Sequence, residues 1–353
     1  MQNTKTQLHF IIGIGRSGTT ILTKLLNTYK EIHCMPEANF LVFFLKKFSD
    51  KNIFTKKDIE QIFEEIKLYS YSHPWVGWNF DPEEAKSNVL KALQLNSELK
   101  FPELIKLIYK QFNVEGTDKT SANIIIDKNP SFTIFVNQIH KTFPDSKFIW
   151  IVRDYRANIL SRKQSVFLKS PSIAYNAVRW KLYNKIAYNF YKKNKDKVIL
   201  VRYEDIVNDD TIIENIASFL SVDTLKKENE NIQSINLEAF KIEEKYQERF
   251  LKKYSDLNKK LNSDRINSWQ KQLSESEIRI SDTLCSEIAA PIGYKPTYVI
   301  SVFSKIKTEI IHILPISSGY FDIFKDKILF YFPIQFKLNR LKKRYIQFGF
   351  IKK

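Results

Sequence analysis

The run Gly13-Ile14-Gly15-Arg16-Ser17-Gly18-Thr19-Thr20 places glycines, hydroxyls and one cation at the spacing of a phosphate-binding loop. It keeps the frame GxxxxGK(S/T), but Thr19 stands where the lysine that grips β- and γ-phosphates belongs. What remains is an anion cradle: backbone N–H groups, the hydroxyls of Ser17, Thr19 and Thr20, and Arg16 as the loop's only cation. A plain strand-to-helix turn is the ordinary alternative, and the density of phosphate-binding residue types argues against it. A second set follows in Ile151-Val152-Arg153-Asp154, an apolar run ending in arginine, with Ser161 eight residues after Arg153. A guanidinium fork and a hydroxyl two helical turns away suit a terminal phosphate.

These residues need elements to hold them. Residues 8–14 form an apolar, β-branched run that predicts a buried strand, and residues 21–27 have helical periodicity. Three more apolar runs, at 123–127, 147–153 and 197–202, are separated by helical patterns, as βαβ units require. The expected fold is therefore α/β: a P-loop-type parallel sheet flanked by helices, with a helical insertion over about 40–115 and a C-terminal extension at 301–353. Ligands of such sheets sit beyond the carboxyl ends of the strands, which brings Asp127, Lys128, Arg153 and Arg202 to one crevice. The insertion is expected to cap that crevice, with Tyr69, Tyr71, Trp75 and Trp78 as acceptor wall or as ordinary core.

Composition narrows the function classes. The 353 residues carry 56 Lys and Arg against 39 Asp and Glu, a net charge of +17, so an anionic partner is expected. The apolar share of 43% can fill a core, so disorder is not the default reading, and 8 glycines without a period exclude collagen. Two cysteines, Cys34 and Cys285, make neither a disulfide framework nor a zinc site. No secretory signal or spanning run is visible, so a cytoplasmic location is expected.

Together the two motifs resemble the sulfotransferase family, which takes its sulfuryl group from 3′-phosphoadenosine 5′-phosphosulfate (PAPS). The resemblance implies a PAPS-dependent enzyme of residues 1–300 without a metal cofactor, nearest to the bacterial and Golgi-type carbohydrate and tyrosylprotein branch. Residues 15–20, that is Gly15, Arg16, Ser17, Gly18, Thr19 and Thr20, correspond to the loop for the 5′-phosphosulfate; Arg153 and Ser161 are implied for the 3′-phosphate. Asp127-Lys128-Asn129-Pro130, Val201-Arg202-Tyr203-Glu204-Asp205 and Arg265-Ile-Asn-Ser-Trp269 are weaker matches, which imply Tyr203 and Arg265 as further donor contacts. Charge developing on the bridging oxygen is assigned to Arg16 and Lys128. Cytosolic small-molecule members carry a histidine base near the position of Lys128; here the base is expected at Glu37, with His33, His73 and His140 as fallbacks.

The acceptor is expected to be a hydroxyl on a glycan, glycolipid or lipid. Residues 301–353 hold 11 Lys and Arg, 3 Asp and Glu, and 11 aromatics, which suits peripheral contact with an anionic membrane surface or an aromatic extension packed on the core. Competing readings are a P-loop small-molecule kinase, with Asp127 as its one candidate magnesium ligand, and a basic nucleic-acid-binding module. The first lacks the loop lysine. The second lacks any recognisable binding motif, so no nucleic-acid partner is expected.

Overall fold

The computed structural model describes residues 6–35, 40–72, 78–95, 99–114, 122–165, 170–222 and 263–333, with single positions as far as Ile346. The chain enters through β1 (Gln7–Ile12), passes the glycine loop into α1 (Thr19–Leu26) and returns as β2 (Ile32–Met35). Next come α2 (Phe40–Phe48), α3 (Lys56–Ser72), β3 (Trp78–Asn79), α4 (Pro82–Leu95), α5 (Phe101–Tyr109) and β4 (Asn113–Val114). The main sheet resumes with β5 (Ile124–Lys128), α6 (Val136–Thr142), β6 (Phe148–Val152), α7 (Tyr155–Lys163), α8 (Ile173–Lys193) and β7 (Val198–Arg202). Then follow α9 (Tyr203–Asn208), α10 (Thr211–Phe219), α11 (Asp264–Asn267), α12 (Trp269–Gln272), α13 (Glu275–Ala289), α14 (Val302–Ile311) and α15 (Ile313–Leu329).

The five long strands form one parallel sheet in the order β2-β5-β1-β6-β7. Side chains alternate across it. Phe10 and Ile12, with Phe148, Trp150 and Val152, face one apolar layer; Ile11, Ile149 and Ile151 face the other, against Leu22 and Leu26 of α1. Register pairs Ile11 with Lys128 and Val152 with Arg202, so these strands end along one rim. The strand-end residues Lys128, Arg153 and Arg202 therefore lie along that rim. β2 at the sheet edge is an addition to the four expected strands.

The insertion is helical as expected, with the β3–β4 ribbon added. Its described aromatics belong to the core: Phe40, Phe44, Phe48, Phe101 and Phe112 are buried, and Phe80 stacks on Phe112 at 3.8 Å between ring centres. Trp75 and the side chains of Tyr69, Tyr71 and Trp78 lie outside the described residues.

The two final helices differ. α15 docks on α8: Tyr175 donates its hydroxyl to Asp322, Lys325 pairs with Asp322 at 2.5 Å, and Gly319 lies where a Cβ would come within 3.1 Å of Val178. Phe330, just past α15, stacks on Phe135 at 4.9 Å. α14 has a capping box from Ser301 and Ser304 but no buried residue. Among the described residues no helix is long and apolar enough to cross a membrane.

Candidate functional site

The glycine loop is positioned by contacts that leave no room for side chains. At Gly13 (φ +143°) a Cβ would stand 2.3 Å from the Ile151 carbonyl oxygen, so the loop rests on the backbone of β6. Gly13 N–H donates to Thr133 Oγ1 at 2.7 Å, and that hydroxyl donates back to the Gly13 carbonyl at 3.1 Å. Gly18 (φ +94°) is the N-cap of α1, and a Cβ there would meet the Tyr203 ring at 2.4 Å. Arg16 adopts φ +76°, a left-handed conformation that costs a non-glycine residue about 1–2 kcal/mol. Its Nε donates to Ser161 Oγ at 3.0 Å, which ties the loop to α7.

A second tie was not foreseen. Asn158, fully buried on α7, donates Nδ2 to the Gly15 carbonyl at 3.2 Å and to Ser17 Oγ at 3.1 Å. The carbonyl can only accept, which fixes which end of the amide faces the loop. Asn158 and Ser161 are three residues apart and share one helix face. That spacing was the available signal, but without the fold nothing aimed it at the loop.

Arg153 follows β6 directly and is 8% exposed. It makes no ion pair among the described residues, because Asp154 is taken by Arg156 at 2.6 Å, and Glu204 accepts from Asp154 N–H at 3.0 Å and from the Tyr294 hydroxyl at 2.6 Å. The Arg153 guanidinium lies over the Tyr203 ring at 4.6 Å, its Nη2 donates to the Arg265 carbonyl at 2.6 Å, and its buried Nε has no partner. Burial pulls its affinity for the proton below the usual arginine value, and burial likewise pushes the Glu204 carboxyl up. On α7, Arg162 is also buried, with Nε on Asn176 Oδ1 at 3.0 Å; burial and then Arg179 bring it down to about 10. Cations stripped of water in this way gain strongly from an arriving anion.

Arg156 is a further residue that sequence reasoning missed. Its guanidinium, fixed by Asp154, stacks on Trp269 at 4.0 Å and donates to Thr297 Oγ1 at 2.5 Å. Beside it Tyr155 donates to Asp282 at 2.5 Å, and the same buried carboxylate accepts from the N–H groups of Thr297 and Tyr298 at 2.7 and 2.9 Å. These bonds hold α7 against α13 and the chain that leads to α14.

Of the residues singled out in the sequence, Arg16 and Ser161 touch, Tyr203 packs between Gly18 and Arg153, and Lys128 is buried at the end of β5. Thr19 is buried, and Thr20 offers its carbonyl to the Thr23 hydroxyl at 2.8 Å. Arg265 meets Arg153 through its backbone carbonyl, while its side chain is exposed. Glu37 lies outside the described residues. Asp127 is fully buried and accepts from the Tyr109 hydroxyl, an unfavourable setting for a magnesium ligand. His33 is buried on β2 and His140 packs edge-on against Phe148 and Phe190, while His73 is outside the described residues.

The sulfotransferase family profile matches residues 9–226, more than half of the chain. Among solved structures, the sulfotransferase domain of the Synechococcus olefin synthase is similar at 18% identity and TM-score 0.50, over 84% of this chain and 98% of that one. The sulfotransferase domain from the curacin biosynthetic pathway is similar at 18% identity and TM-score 0.49, over 82% of this chain and 98% of that one. No curated protein matches significantly.

Proposed function

The chain belongs to the sulfotransferase family, and from that premise we propose that it moves the sulfuryl group of PAPS to an acceptor hydroxyl. The observation that carries the choice of donor is Arg153: a buried guanidinium with an unpartnered Nε, beside a glycine loop that has lost the triphosphate lysine. Two anionic groups at opposite ends of one nucleotide match two cation sets, Arg16 in the loop and Arg153 with Ser161 across the β1–β6 rim. The tie from Arg16 to Ser161 supports their acting on one ligand.

In this reading the loop N–H groups, Ser17, Thr19 and Thr20 hold the 5′ end, Tyr203 and Arg265 add donor contacts, and Arg153 and Ser161 hold the 3′-phosphate. The acceptor oxygen bonds to sulfur as the bond from sulfur to the bridging oxygen breaks. Arg16 and Lys128 take up the charge left on that oxygen, and Glu37 receives the acceptor's proton, as in the carbohydrate and tyrosylprotein branch. Among the described residues no group of three or more His, Cys, Asp or Glu is placed to hold a metal ion. The basic, aromatic segment 301–353 supports an anionic membrane surface as second partner, and so an acceptor on a glycolipid, lipid or lipid-borne glycan.

Thermal shift separates the donors. Adenosine 3′,5′-bisphosphate should raise the melting temperature and ATP with magnesium should not; the reverse result removes the reading in favour of a kinase. With donor bound, Glu37→Gln should lower turnover by about 10²- to 10⁴-fold and leave bisphosphate affinity intact. Unchanged turnover would place the base elsewhere.

A further inference from the structure

We infer that the outward face of α14 and α15 is a docking surface for an anionic phospholipid bilayer. Apart from Ile53, the large apolar side chains that stand exposed among the described residues all lie between 299 and 336. They are ordered. On α14, Phe303, Ile306 and Ile310 recur at helical spacing and are 77%, 52% and 67% exposed. α15 carries two apolar stripes. Ile316, Gly319 and Ile323 face the core, whereas Phe321, Phe324 and Ile328 keep the same period on the far side at 61%, 58% and 40% exposure. An exposed apolar stripe on the side away from the one that meets the core marks a surface for a second apolar phase.

Charge selects the phase. Lys305, Lys307 and Lys327 stand exposed among these side chains. Residues 301–353 carry 11 bases and 3 acids, so 11 − 3 gives +8 in a chain of net +17; on α14 and α15 themselves Lys305, Lys307, Lys325 and Lys327 stand against Glu309, Asp322 and Asp326, and most of the excess follows in 334–353. A second copy would set this excess against itself. A layer of acidic headgroups over acyl chains accepts both parts, rings and isoleucines at the acyl boundary and lysine heads among the phosphates. With 10 and 17 residues, the helices lie in the plane of the interface instead of crossing it. The Asp322 contacts to α8 fix that plane relative to the enzyme core.

The inference rests on the function proposed above only for the kind of acceptor a membrane would present, and the two can fail separately. The test is co-sedimentation of the full chain with phosphatidylcholine vesicles with and without phosphatidylglycerol, alongside light scattering and bisphosphate binding. The chain should sediment only with the acidic vesicles at about 0.1 M salt and be released near 1 M, where screening shortens to roughly 3 Å. The combined variant Phe303→Ser, Phe321→Ser, Phe324→Ser should lower partitioning at least about tenfold, and Lys305→Glu with Lys307→Glu should do the same. Both variants should keep the melting temperature and bisphosphate affinity of the parent. The docking surface is overturned if the parent chain stays in the supernatant with acidic vesicles, or if the variants sediment equally well. It is also overturned if the parent is a dimer that the phenylalanine variant dissolves, since a second copy then covers the face. Loss of bisphosphate binding with vesicle binding intact would instead remove the donor assignment and leave the surface standing.

Discussion

At the strand rim Arg153 is buried over Tyr203, along α7 Arg162 is buried against Asn176, and Arg16 of the loop is tethered to Ser161. On α14 and α15 the cations Lys305, Lys307 and Lys327 are held by no described hydrogen bond or ion pair and are surrounded by exposed rings and aliphatic chains. The same kind of charge therefore recognises in two ways. A desolvated, fixed guanidinium selects the geometry of one phosphate, whereas exposed ammonium heads in an apolar setting respond to the averaged field of a surface. Net charge alone does not distinguish them; burial and the neighbours of each cation do.

That contrast can be broken by substitution. The largest effect is expected for Arg153→Ala, which should weaken adenosine 3′,5′-bisphosphate binding about a hundredfold by calorimetry and leave vesicle binding untouched. An unchanged affinity would mean that burial at the rim serves packing alone. Gly18→Ala should come next. It forces a side chain into positive φ and into the Tyr203 ring, so unfolding by denaturant should show a loss of about 2–3 kcal/mol, with weaker bisphosphate binding beside it. The smallest effect should come from Asp322→Asn, which removes the charge shared by Tyr175, Arg179 and Lys325. A loss of roughly 1–2 kcal/mol in stability is expected. Vesicle partitioning should fall and bisphosphate affinity should hold; a fall in both would tie the two regions more closely than their separate chemistries imply.

The apolar runs at 8–14, 123–127, 147–153 and 197–202 were readable as strands because a strand covered on both faces has no polar side to hide it. β2 was not, since Ile32-His33-Cys34-Met35 is four residues long and its apolar character emerges only where it pairs with β5 at the sheet edge. The glycine loop and Arg153 were legible for a similar reason: their chemistry lies in local spacing. Asn158 and Arg156 were not, because each acts on a partner more than 100 residues away in sequence. The contact of Arg153 with the Arg265 carbonyl was not legible either, since a backbone acceptor leaves no mark in residue types. In the tail, composition gave rings and lysines; only the docking of α15 on α8 sorts the rings into packed and exposed stripes.

The bonds that close the glycine loop also set a timetable for its birth. Gly13 waits for Thr133, 120 residues on, and Arg16 waits for Ser161, 145 residues on. At roughly 5–20 residues per second of synthesis, the loop leaves the ribosome about 7 to 30 s before its last clamp is made. Tyr155, at the head of the clamping helix, then waits for Asp282, 127 residues further. The loop is thus finished only after α13 has been made, and a nascent chain stopped short of α13 should hold no nucleotide.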